Sequence, residues 1–151
     1  MSTRILDEPA RVAVVEIEIE IDAEREEVYR TFVERTGDWF YENEASRKTH
    51  ATILEHELGG RLFIRTLANG DENMMASVTM IKKNRKLRLK GDYTVAQAFV
   101  ANVTVAFEDV PGGTRVAIEH RMAGDFSDDL PGGFDEGWMD GLLKLKRLVE
   151  G

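Results

Sequence analysis

From Val15 to Ile21 the chain alternates strictly, with Val15, Ile17, Ile19 and Ile21 on one side and Glu16, Glu18 and Glu20 on the other. A period of two is that of a strand with one face buried and one in water. Asp22 then stands where a helix N-cap belongs, and Glu24, Glu26 and Glu27 suit the positive end of a helix. Val28, Tyr29, Phe32 and Val33 form a stripe at helical spacing, so a helix is expected over about 23–35, ended by Gly37. Trp39, Phe40 and Tyr41 follow and cannot all face water cheaply, which predicts a short second helix or a packed loop.

Beyond Ser46 the rhythm changes to short apolar runs separated by turn residues: Gly59-Gly60, Asn69-Gly70, the polar stretch 82–86, and Pro111-Gly112-Gly113. That punctuation describes an antiparallel meander. Strands are expected near 47–57, 61–67, 75–81, 86–92, 99–109 and 114–123, with the 92–98 connection marked by neither Gly nor Pro. Phe134, Trp138, Leu142, Leu145 and Val149 then share one stripe of a last helix over about 134–149, with Asp140, Lys144 and Arg147 elsewhere on it. At 1.5 Å per residue this helix runs about 24 Å. A sheet with one apolar face needs a cover, and this is the only long amphipathic element available. The fold class is therefore α+β: a curved antiparallel sheet of about seven strands, in β-α-α-β6-α order, around a long C-terminal helix.

Composition narrows the function classes. At 151 residues, with 42% hydrophobic and 32% charged residues, the chain suits one globular domain over 1–151, with 1–11 a flexible N-terminal arm. Twenty basic against twenty-eight acidic residues leave a net charge of -8, which disfavours nucleic acid and anionic membrane surfaces as partners. With no cysteine, disulfides, thiolate catalysis and cysteine-held metals are excluded. The first residues carry acids where a signal peptide needs an apolar run, and no stretch suits a membrane-spanning helix, so a cytoplasmic location is expected. A homodimer is compatible with these features.

The element order and four local features resemble one known group. They are Trp39-Phe40 after the first helix, Gly59-Gly60-Arg61-Leu62 and Gly113-Thr114-Arg115-Val116 opening two strands, and Gly137-Trp138 with Leu142, Leu145 and Leu148 in the closing helix. Over about residues 12–150 the chain resembles the SRPBCC superfamily (START-like, birch-pollen-allergen-like). Within it, the chain resembles homologues of the activator of the heat-shock protein ninety ATPase. The resemblance implies a helix-grip fold and an apolar cavity between sheet and helix. The long N-terminal extension with which such cochaperones engage their chaperone has no counterpart here, so a chaperone-activating role is not expected.

The expected ligand is a hydrophobic or amphipathic small molecule, lined by Trp39, Tyr41, Met80, Phe99, His120 and Trp138, with no cofactor or metal. His120 shares strand parity with Val116, Ile118 and Met122 and should face the helix, as a polar anchor or as a satisfied core histidine. An enzymatic alternative, suggested by polyketide cyclases of this fold, would use His120 as general base with Tyr41 or Tyr93 as donor. A protein-binding module would show an exposed apolar patch instead. Zinc is not expected, because His50 and His56 on one strand would stand nearly 20 Å apart at about 3.3 Å per residue. His56-Glu57 lacks the second histidine of a zincin motif, and the acidic run from Asp125 to Glu136 has Leu130 where a calcium loop needs glycine.

Overall fold

The alternation that opens the chain runs further than its hydrophobic positions suggest: strand β1 spans Arg11–Ile21 in the computed structural model, which describes residues 2–151. Residues 2–10 are in neither helix nor strand, and Met1 lies outside the described residues. Two helices follow, α1 (Arg25–Glu34) and the single turn α2 (Thr36–Trp39). Asp22 does not cap α1; Glu24 holds the N-cap position without a side-chain bond, and the Asp22 amide instead donates to Glu150. Gly37 lies within α2, where a side chain would meet the Thr52 carbonyl at 2.9 Å, so only glycine lets this turn approach the sheet so closely.

A third helix, α3 (Glu44–Thr49), occupies residues expected to begin a strand, and β2 is correspondingly short (His50–Leu54). The cause is local. Asn43 accepts from the Ser46 amide while the Ser46 hydroxyl accepts from the Asn43 amide, a reciprocal cap that satisfies two otherwise orphaned N–H groups.

The meander continues as β3 (Arg61–Thr66), β4 (Glu72–Lys82), β5 (Lys86–Gly91), β6 (Ala98–Val110) and β7 (Gly113–Asp125). The seven strands form one antiparallel sheet in the order β1-β7-β6-β5-β4-β3-β2. Its inner face reads directly from the register: Ile17 opposes Ile118, which opposes Val105, which opposes Leu87. The last helix, α4 (Leu130–Glu150), begins four residues earlier than expected, with Pro131 in its first turn, where a missing N–H costs nothing. Trp138, Gly141, Leu142 and Leu145 of α4 are buried, Gly141 against the Trp39 ring of α2, and Lys146 and Glu150 tie its far end to Glu20 and Asp22. This is a helix-grip arrangement, and the core lies between the inner sheet face, α1, α2 and α4. No helix among the described residues is long and apolar enough to cross a membrane.

Candidate functional site

At the β2–β4 end of the sheet, α4 does not fill the concave face. A cleft of about 480 Å³ opens there, within the range of small-molecule sites. Thr52 of β2, Ile64 of β3 and Met75 of β4 form its sheet side, and Phe134, Gly137 and Trp138 of α4 form the opposite wall. Phe40 and Tyr41 from the α2–α3 connection close one end, while Glu42, Ser46, His50 and Asp140 ring the mouth. Two other depressions, of about 590 and 680 Å³, are surface hollows bordered by charged residues and lack an aromatic wall.

The inner end of the cleft is made by Tyr93, from the connection between β5 and β6. Gly91 permits this, since a side chain there would overlap the Met75 carbonyl at 2.1 Å. The Tyr93 amide then donates to that same carbonyl, and Asp92 accepts from the Thr94 amide. The result is a turn in which Tyr93 and Thr94 both take positive φ, 55° and 67°. Such a conformation costs a non-glycine residue about 1–2 kcal/mol and clusters at functional sites. Tyr93 is 7% exposed, and its hydroxyl is buried with no hydrogen-bond partner. Burial raises its pKa well above the ordinary phenol value, so it stays neutral.

Behind this wall lies His120, fully buried. Its ring packs against Phe134 and Tyr93, with centroids 4.3 and 5.5 Å away. The Trp138 indole N–H donates to its Nδ1 at 2.9 Å, so the neutral ring carries its proton on Nε2, which is buried without a partner. Burial pushes the imidazole pKa down from 6.5 to about 4.

Of the six residues expected to line the site, Tyr41 and Trp138 stand in the cleft wall. Trp39 is one layer back, its ring against Phe32 and its N–H donated to the Phe32 carbonyl. His120 is likewise one layer back, covered by Tyr93, Phe134 and Trp138. Phe99 faces inward one layer back, its ring 6.2 Å from that of the lining residue Phe134 and 6.3 Å from Phe126. Met80 is on the outer face: a bulge between Val78 and Met80 reverses strand parity, so Met80 opposes Arg88 and Ile81 takes the inward place. Lining residues outside those six include Phe40, Ile64, Met75, Phe134 and Tyr93, the last considered from sequence only as a proton donor for an enzyme. Phe40 belongs to the aromatic triplet already singled out, whereas nothing local marks Tyr93.

The acid–base arrangement considered for an enzyme is not assembled. His120 Nδ1 already accepts from Trp138, and Nε2 carries a proton and is sealed from solvent. The Tyr41 hydroxyl donates to Glu44, with Lys144 and Arg47 over its ring at 3.9 and 4.7 Å. His56 is held by the Tyr29 hydroxyl at 2.7 Å, and among the described residues no cluster of metal-ligating side chains forms. On the outer sheet face Val12, Ala123 and Val100 share one exposed rung, a patch of three small side chains.

With the geometry in place, comparison with known proteins identifies the lineage. Residues 22–150 match the family described as Activator of Hsp90 ATPase homolog 1-like protein. The chain belongs to that family. Its fold is shared with solved structures of low identity. An uncharacterised protein from Rhizobium leguminosarum is 24% identical, with a TM-score of 0.73 over 93% of this chain and 96% of that one. A protein from Rhizobium loti is 17% identical, with a TM-score of 0.71 over 93% and 99%. An AHSA1-like protein from Aeromonas hydrophila is 20% identical, with a TM-score of 0.62 over 91% and 92%. At such identities the likeness concerns the fold. No curated protein matches significantly.

Proposed function

We propose that this member of the family binds an apolar or amphipathic small molecule in the cleft between β2–β4 and the first half of α4. One observation carries the reading: an aromatic-walled cleft of about 480 Å³ penetrates the molecule where sheet and helix part. Chemically it has the composition of a binding site, an apolar wall with few polar groups. The family's description names activation of a chaperone ATPase; the feature of this chain that supports a function is the cleft.

Gly137 provides the test. It lines the cleft on α4, and a side chain added there would meet nothing within 4 Å. Gly137→Trp therefore blocks the cleft without disturbing the core. Nile red, a neutral dye that brightens and shifts to the blue in apolar surroundings, should respond to the wild-type protein and not to Gly137→Trp. An equal response from both proteins, or none from the wild type, would refute the reading.

A further inference from the structure

We infer that the cleft selects an uncharged, mainly apolar molecule that presents one oxygen, as a ketone, ester or alcohol, to the Tyr93 hydroxyl. This deepens the proposal above and rests on it. Buried polar atoms normally find partners. Among the described residues three buried side-chain atoms have none: Arg25 Nε, Tyr93 Oη and His120 Nε2. Two of the three belong to one aromatic cluster at the inner end of the cleft, and Tyr93 is itself a lining residue. The hydroxyl is closed to solvent in the ligand-free cleft, so a ligand that displaces the lining ring slightly meets a group able to donate to its oxygen or accept from its hydroxyl.

The surroundings decide the charge of the ligand. Neither Tyr93 nor His120 carries charge at neutral pH, so an anion reaching the inner end meets no cation. At the mouth, Glu42 and Asp140 repel a carboxylate. Lys144, the nearby cation, is engaged by Asp140 at 2.8 Å and by the Tyr41 carbonyl at 2.7 Å. An ionised carboxylate would therefore lose hydration with no compensating pair.

Three probes of one shape separate the possibilities: 2-acetylnaphthalene with a neutral oxygen, 2-ethylnaphthalene with none, and 2-naphthoate with a charge. Each is titrated into the whole isotope-labelled protein while the Trp138 indole N–H resonance is followed. One neutral hydrogen bond corresponds to roughly tenfold in affinity. The ketone should thus bind about tenfold more tightly than the hydrocarbon, and the carboxylate more weakly than both. Tyr93→Phe should remove the ketone's advantage over the hydrocarbon. A second readout needs no variant: the carbonyl stretch of bound 2-acetylnaphthalene should fall below its frequency in hexane. Equal binding of ketone and hydrocarbon, preference for the carboxylate, or an unshifted carbonyl band would overturn the selectivity while leaving a binding cleft. If no probe moves the Trp138 resonance, the binding reading itself fails and the selectivity with it.

Discussion

Replacing Tyr93 by phenylalanine removes one oxygen and nothing else. The ring keeps its contacts with His120, Phe134 and Trp138, whose centroids lie 5.5 to 6.1 Å away. In wild type the hydroxyl is buried with no protein partner. Leaving such a group unpaired costs roughly 1–3 kcal/mol in mutational data. Tyr93→Phe should therefore stabilise the ligand-free protein by about 1 kcal/mol or more, raising Tm by roughly 2–4 °C per kcal/mol for a chain of this size. Tyr29 supplies the contrast, because its hydroxyl bonds His56 at 2.7 Å, and Tyr29→Phe should cost about 1 kcal/mol. Urea unfolding followed by circular dichroism measures both, on protein refolded from denaturant so that no ligand is carried through purification. A loss of 1 kcal/mol or more in Tyr93→Phe would show that the hydroxyl has a partner in the free protein, and the selectivity argument would lose its base.

Three further outcomes are expected. His120 binds its proton in the unfolded chain near pH 6.5 but in the folded protein only near pH 4. As pH falls through that window protonation favours unfolding, so about 3 kcal/mol present above pH 6.5 should be lost by pH 4. His56, also lowered by burial, adds in the same direction; His120→Gln should flatten most of the slope in urea titrations at successive pH values. Gly137→Ala should gain about 0.5–1 kcal/mol, because α4 has open space there and alanine forms helix better. Gly37→Ala should instead lose roughly 1–3 kcal/mol by driving a methyl against the Thr52 carbonyl, and thermal melts of the pair test both signs.

What sequence periodicity reveals here is whatever keeps a constant period. The alternation of β1 and the stripe Trp138, Leu142, Leu145 of α4 both continue without interruption, and both elements appear with the expected face buried. Met80 shows the limit: one inserted residue reverses every later side chain of β4, and no residue type announces the bulge. The α3 helix is marked only by the reciprocal cap of Asn43 and Ser46, a side-chain pairing that hydrophobic periodicity does not register. The helix expected from Phe134 begins at Leu130, because Pro131 is tolerated in a first turn that the apolar stripe does not mark. Tyr93 was beyond periodicity altogether. Its place depends on a positive φ and on the approach of Gly91 to Met75, which are pairings between distant parts of the chain. His120 was read correctly as inward-facing, but whether it touches a ligand or the back of Tyr93 depends on a layer that strand parity does not describe.

The most direct test is to find which protons of the protein approach a bound probe. With 2-acetylnaphthalene present, intermolecular nuclear Overhauser contacts should connect the naphthalene ring to Ile64, Met75 and Phe134, and the acetyl methyl to Tyr93. Contacts confined to the outer-face residues Val12 and Val100, with none to Met75 or Phe134, would contradict the account.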